Sequence, residues 1–307
     1  MRCALITHPD CLLHEIPGHV ERPARLVAIL NRLIESGLET ELSYRSATPV
    51  GIADFERIHD PGFVHGLYAE IPSHGIVDVD ADTSLSPMSI QAAELAAGAV
   101  TDAVDLVLAG TTRRAFCAVR PPGHHAEEDQ AMGFCFFNNV ALGAAVALGH
   151  PGIERVAILD FDVHHGNGTV DIFRERPEVL VCSSFQHPHY PHRLFDLQRP
   201  NIVNTPLAAG TNGHQFRNAV ERDWLPALAR HRPDLILVSA GFDAHREDPL
   251  GDLELVEDDY RWVTELIVSQ ADTYAKGRVV SVLEGGYALG ALARSAATHI
   301  EGLLAGT

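Results

Sequence analysis

Four short segments of this 307-residue chain concentrate the side chains that could do acid–base and metal chemistry. They are Arg120-Pro121-Pro122-Gly123-His124-His125, Asp160-Phe161-Asp162-Val163-His164-His165, Ala240-Gly241-Phe242-Asp243 and Glu284-Gly285-Gly286-Tyr287. In an extended backbone alternate side chains share a face, so Asp160, Asp162 and His164 are expected to point the same way over about 13 Å. Two carboxylates and an imidazole suit a borderline divalent cation such as zinc, and Asp243 can reach the same point from a neighbouring strand end. The ligand set read from the residues is therefore Asp162, His164 and Asp243 around one ion per chain. Three protein ligands leave a position open for water or a carbonyl oxygen, as catalytic sites require. The plainer reading, an acid at a strand end capping the next helix, suits Asp160 taken alone.

Two anionic ligands cancel much of a divalent charge, so the site acidifies water less than an all-histidine one and needs a protein base. His124 and His125 both offer one, and Pro121-Pro122-Gly123 before them makes a stiff, sharply turned loop able to aim them. Asp160 is expected to orient His124, and Asn167 to orient His125, each by fixing the ring tautomer. Among 18 histidines a tandem pair has an ordinary reading as exposed loop, and only its company gives it weight. Tyr287, behind Gly285 and Gly286, can donate its hydroxyl to a substrate carbonyl or to the oxyanion formed from it, or can simply cover the start of the last helix.

Between residues 89 and 305, short β-branched runs alternate with longer amphipathic stretches, as in a parallel sheet with crossover helices. Strands are expected at 115–119, 155–160, 179–184, 235–239 and 279–283, with helices near 139–149, 213–231, 257–274 and 288–304. Ser86 as N-cap and Pro87 as first residue open a further helix, carried by Ala93, Ala96, Ala97, Val100, Val104 and Val107 and ended by Gly110. The first eight residues read as a strand too short to be a signal peptide, so the mature chain is expected to start near Met1. Ligands collect outside the carboxyl ends of parallel strands, and each of the four segments follows one. They line one pocket if those strands are parallel neighbours. No repeat, low-complexity tract or linker interrupts the chain, so residues 1–307 are expected to form one α/β domain.

Apolar residues make up 46% and charged ones 21%, the proportions of a folded globular protein. Lys and Arg total 23 against 41 Asp and Glu, and the net charge of −18 repels phosphate backbones and anionic membranes. Nucleic acid and membrane are excluded as partners on that ground, whereas a cationic partner suits the surface. No apolar run approaches the roughly 20 residues of a membrane-spanning helix. The five cysteines are odd in number and form no C-x-x-C pair, which argues against a disulfide framework and for a reducing, cytoplasmic compartment. Lys276 is the only lysine, so no P-loop exists. A homo-oligomer is compatible with all of this.

The four segments, extended through Gly166-Asn167-Gly168-Thr169 and joined by Gly18-His19-Val20-Glu21-Arg22-Pro23-Ala24-Arg25-Leu26 and Met132-Gly133-Phe134-Cys135-Phe136-Phe137-Asn138, resemble the histone deacetylase and acetylpolyamine amidohydrolase superfamily over nearly the whole chain. The likeness is greatest to its class II and bacterial amidohydrolase members. It implies an arginase-like three-layer α/β fold with a mainly parallel central sheet flanked by helices, and zinc on Asp162, His164 and Asp243. It implies that His125 is general base and acid, that His124 helps electrostatically, and that Tyr287 polarises the acetyl carbonyl. The tunnel would be walled by Gly133, Phe134 and Tyr190, with Arg25 in an exit cavity for acetate. A structural monovalent cation, usually potassium, would sit near Asp160, Asp162, His164, Ser184 and Phe185.

Two features depart from the family pattern. Tyr190-Pro191-His192-Arg193-Leu194-Phe195 stands where the family is usually glycine-rich, and Leu250 stands where a polyamine-selective member carries an acidic gatekeeper. An apolar rim residue tilts the expected substrate from an acetylated small amine towards an acetylated lysine side chain. Glu127, Glu128 and Asp129 read as a solvated acidic loop. The rival readings are an acetylpolyamine or other small-amide hydrolase, a non-catalytic binder of acyl groups, and a ureohydrolase, which would need further aspartates for a second metal ion.

Overall fold

Leu235-Ile236-Leu237-Val238 and Val279-Val280-Ser281-Val282-Leu283 are apolar on both faces, which suits strands covered on both sides of a parallel sheet. In the computed structural model, which describes residues 3–305, they form the middle of the molecule. The chain opens with β1 (Ala4–Thr7), α1 (Ala24–Glu35), β2 (Ser43–Ser46), α2 (Ile52–Phe55) and α3 (Pro61–Ala69). A two-stranded ribbon, β3 (Val77–Asp78) and β4 (Ser84–Leu85), precedes α4 (Ser89–Leu108), β5 (Arg114–Cys117) and α5 (Asn139–Leu148). Then come β6 (Val156–Asp160), α6 (Asn167–Phe173), β7 (Val179–Gln186), β8 (Ile202–Leu207) and α7 (Gly213–His231). The last elements are β9 (Leu235–Ala240), α8 (Glu257–Tyr274), β10 (Val279–Leu283) and α9 (Leu289–Leu304).

The main sheet has eight strands in the order β2-β1-β5-β10-β9-β6-β7-β8, and every pairing in it is parallel among the described residues. Helices α4 and α5 pack on each other and against β5, β6, β9 and β10. Helices α1, α9, α8 and α7 pack in succession, with α9 against β5, α8 against β9 and α7 against β7 and β8. Since β5, β6, β7, β9 and β10 are buried along their whole length, the sheet lies between two helical layers. No helix among the described residues is long and apolar enough to cross a membrane.

Three sequence expectations are corrected at element ends. Helix α4 starts at Ser89 with Met88 as N-cap, because Ser86 and Pro87 form a turn in which Ser89 Oγ accepts from the Ser86 N–H at 2.7 Å. Strand β5 stops at Cys117, two residues early, although the Ala118 N–H still reaches Ile6 O at 2.9 Å. Strand β6 stops at Asp160, so the run to His164 is not extended. The first strand covers Ala4–Thr7, and Met1 and Arg2 lie outside the described residues. Strands β2 and β8, one at each sheet edge, had no sequence expectation. Ser43–Ser46 is polar and largely exposed, and Pro206 lies within β8, as edge strands allow.

Candidate active site

Strands β5, β10, β9 and β6 are successive in the sheet, so the four chemistry-bearing segments leave neighbouring carboxyl ends, as the pocket reading requires. Beyond Asp160 the chain curls rather than running straight. The N–H groups of Asp162, Val163 and His164 are spent on Asp160 Oδ1 (3.1 Å), Asp243 Oδ1 (2.8 Å) and Asp162 Oδ1 (2.9 Å). This curl brings Asp162 and His164 to Asp243 while turning Asp160 aside, so the shared face expected for all three residues of the run is replaced by a cluster of two plus Asp243.

One donor atom from each of Asp162, His164 and Asp243 lies within 4.8 Å of the others, and all three residues are buried. Two carboxylates taken out of water side by side require positive charge. Burial pushes the Asp243 carboxyl up, and the Asp162 charge pushes it the same way. Burial would lower His164, but its bond to Asp162 and the charge of the Asp243 carboxylate, whose Oδ2 lies 3.3 Å from Nδ1, prevail and hold it up at about 10. Asp243 Oδ2 is buried without a hydrogen-bond partner. The backbone also makes room: a Cβ on Gly285 would lie 1.9 Å from Asp243 Oδ2 and 2.6 Å from Asp162 Oδ2. An orphaned carboxylate oxygen, excess negative charge and convergent O, N and O donors are what a divalent cation fits.

Glu284 holds the histidine loop, its Oε2 accepting from the N–H of Gly123 (2.7 Å) and of His124 (3.1 Å) and its Oε1 from Ser239 Oγ (3.0 Å). His124 Nδ1 lies 2.9 Å from Asp160 Oδ2, and His125 Nδ1 lies 2.7 Å from Asn167 Oδ1, with the two ring centroids 4.0 Å apart. Their environments pull them in opposite directions. Burial would lower His124, but Asp162, Asp160 and Glu284 raise it well above an ordinary imidazole. Burial lowers His125 far below the ordinary value, and the neighbouring His124 and His164 add to this. The surroundings thus separate the two rings in proton affinity, His124 upward and His125 downward.

Above them opens a pocket of about 320 Å³ lined by His125, His164, Gly133, Phe134, Tyr190, Leu250 and Tyr287, together with Asp82, His189 and Asp252. Phe134 has a φ of 69°, a rare conformation for an aromatic residue, and follows Gly133, on which any Cβ would lie 2.3 Å from the His125 ring. Tyr190 stands edge-on to His125 at 5.2 Å, and Tyr287 edge-on to Phe134 at 5.9 Å. Burial pushes the Tyr287 hydroxyl well above its usual range, so it keeps its proton. Arg25 is fully buried, its guanidinium 4.8 Å from the Tyr287 ring centroid and bonded to Glu21 Oε1 (2.9 Å), Gly286 O (2.7 Å) and Glu284 O (2.5 Å). Ser184 and Phe185 are buried at the end of β7, where Ser184 Oγ reaches Asp160 O at 3.4 Å.

Several residues here had no sequence assignment. Asp248 Oδ2 accepts from the Tyr287 N–H at 2.6 Å and the Ala288 N–H at 3.1 Å, and its Oδ1 from the Leu250 N–H at 3.0 Å, tying the tyrosine to the rim. An acid two residues before a rim residue was its one sequence signal. The solvated-loop reading of Glu127 is corrected. Its side chain is buried, accepting from Asn167 Nδ2 (2.7 Å) and Arg193 Nη2 (2.6 Å), because both partners come from distant segments that one local charge run cannot reveal.

Residues 19–303 match the histone deacetylase domain. A histone deacetylase-like amidohydrolase of Pseudomonas aeruginosa is 40% identical over 277 residues, covering 88% of this chain and 73% of that protein. The polyamine deacetylase HDAC10 of Homo sapiens is 35% identical over 329 residues, covering 99% of this chain and 48% of that protein. The crystal structure of the HDA15 HD domain superposes with a TM-score of 0.93 at 32% identity, covering 99% of this chain and 88% of that one, so the arginase-like α/β fold expected from the sequence is the fold observed.

Proposed function

Since the chain belongs to the histone deacetylase family, we propose that it is a zinc-dependent deacetylase that hydrolyses the acetamide of N-acetylated lysine or a related acylated amine to amine and acetate. The observation that carries this reading is the Asp162, His164 and Asp243 cluster set beside a neutral His125 at the base of the pocket. These three residues would hold the zinc, which when bound supplies a Lewis acid that polarises the carbonyl and acidifies water.

His125, neutral and with Nδ1 engaged by Asn167, has its Nε2 lone pair free to take the proton of the attacking water. The water oxygen adds to the carbonyl carbon, and the Tyr287 hydroxyl donates to the oxyanion that forms. His125 then returns the proton to the amine nitrogen as the C–N bond breaks. His124, cationic against Asp160, contributes a fixed positive charge and stays out of the transfer. Phe134, Tyr190 and Leu250 make an apolar wall for the neutral acylated chain, and Arg25 would guide acetate out behind Tyr287. Backbone carbonyls around Asp160, Asp162, His164, Ser184 and Phe185 would hold a potassium ion. Five buried cysteines, none in a disulfide, support a reducing cytoplasmic setting.

The second reading, hydrolysis of an acetylated polyamine, is favoured by the relative named polyamine deacetylase and opposed by Leu250 at the rim. The test is kcat/KM on an acetyl-lysine peptide and on acetylputrescine, each with and without chelator. We expect peptide turnover that chelation abolishes, and a ratio favouring the peptide. Full activity without metal ends the zinc reading, and a ratio favouring acetylputrescine transfers the assignment to the polyamine.

A further inference from the structure

Resting on that deacetylase reading, we propose that Arg193 and Glu127 are positioning residues for the reaction. Through the side-chain amide of Asn167 they fix which ring nitrogen of His125 carries its proton. His125 Nδ1 lies 2.7 Å from Asn167 Oδ1, Asn167 Nδ2 lies 2.7 Å from Glu127 Oε1, and Arg193 Nη2 ends the chain 2.6 Å from Glu127 Oε2. An amide has an accepting end and a donating end. Turned over, it would face His125 Nδ1 with its NH2 group, the ring proton would move to Nε2, and the lone pair the reaction uses would be gone.

An ionised carboxylate only accepts hydrogen bonds, so Glu127 keeps the NH2 on its own side as long as it is charged. Once protonated it could donate to the amide oxygen and support the wrong orientation, leaving the longer bond from Asn167 Nδ2 to His125 O (3.3 Å) to oppose it. Burial is the largest influence and raises the Glu127 carboxyl above its ordinary value, Asp171 adds to this, and Asn167 and Arg193 pull it back towards the charged form. The Glu127 side chain is 3% exposed and Arg193 is 48% exposed, so a surface guanidinium reaches in to stabilise a buried anion.

The loop is shaped for that reach. His192 and Leu194, on either side of Arg193, have φ values of 59° and 55°, a left-handed conformation that is strained for a non-glycine residue. Glycines would adopt these angles freely but would leave this stretch more mobile. Tyr190 of the same loop stands against His125, so the segment that walls the pocket also anchors the orientation of the base.

The test compares wild type with Arg193→Ala, Arg193→Lys, Glu127→Ala and the Arg193→Ala/Glu127→Ala double variant on an acetyl-lysine peptide. For outer contacts of this kind we expect kcat to fall about 10–100-fold in each alanine variant, with KM changed less than about twofold. The lysine variant should keep most of the activity, and the double variant should be no worse than Glu127→Ala. Nitrogen-15 histidine NMR reads the tautomer without turnover, the His125 signal being assigned by its loss in His125→Ala. Wild type should show the Nδ1–H form, and Arg193→Ala a mixture with the Nε2–H form. Arg193 is half-exposed, so its removal leaves the fold intact and the spectrum readable. The inference is overturned if Arg193→Ala keeps wild-type kcat, loses only in KM, or leaves the His125 tautomer unmoved. An inactive wild type whose tautomer still responds overturns the deacetylase reading alone.

Discussion

His124 and His125 are adjacent in sequence, yet carboxylates push the proton affinity of one up while burial beside two imidazoles pushes that of the other down. Residue type announced a proton-handling pair, and the proposed division of roles rests on the partners of each ring. Those partners were partly legible: Asp160 and Asn167 sit inside one recognisable motif, whereas Glu284 and Asp248 reach the site from other strand ends and work on backbone N–H groups. Tyr287 carries the sharpest prediction at this scale. Its hydroxyl is the one protein donor proposed for the oxyanion, so Tyr287→Phe should lower kcat by about 10²–10³-fold, the usual cost of one such donor. Zinc content should be unchanged. Steady-state kinetics with metal analysis checks this, and unchanged turnover would remove the tyrosine from the mechanism.

Buried strands were the most readable elements, because Val, Ile and Leu on both faces admit few alternatives, and β6, β9 and β10 fall within a residue of expectation. What the pattern could not carry was the path beyond a strand end. Period-two reasoning kept the run from Asp160 to His164 extended, whereas beyond Asp160 the backbone curls around the carboxylates of Asp160 and Asp162. The edge strands, polar or interrupted by proline, gave no signal at all. The turn after β10 illustrates how such ends set geometry: Gly285 lies against both aspartates and its N–H donates to Asp162 Oδ2 at 2.9 Å. A methyl group there must displace one carboxylate, so Gly285→Ala should fold yet lose zinc and activity together. Far-ultraviolet circular dichroism with metal analysis would show it, and full zinc loading in the variant would contradict this view of the turn.

Across the whole molecule, the absence of any repeat, low-complexity tract or linker pointed to one α/β domain, but burial of ionisable groups became visible only in three dimensions. Burial lowers His14 and His59 to about 4 and His299 to about 3, in each case the leading cause. Unfolded, each would take up a proton near pH 6.5, so below that pH the unfolded chain binds more protons and stability falls, by up to about 1.4 kcal/mol per pH unit for each ring. For Glu21 burial would raise the carboxyl, but Arg120 and Arg25 prevail and hold it at about 2, which adds a further loss below about pH 4.5. Buried carboxyls such as Asp160 and Glu284 are raised into the same window, so the contribution of a ring is read by difference: between pH 6.5 and 4.5 the urea midpoint of His299→Asn should fall less than that of wild type. Equal slopes for the two proteins would mean that His299 is not held neutral. The most direct measurement is zinc bound per chain at equilibrium dialysis, for wild type and Asp243→Asn. The account predicts one ion for wild type and none at the same free zinc for the variant; no zinc on wild type, or equal binding by both, would contradict it.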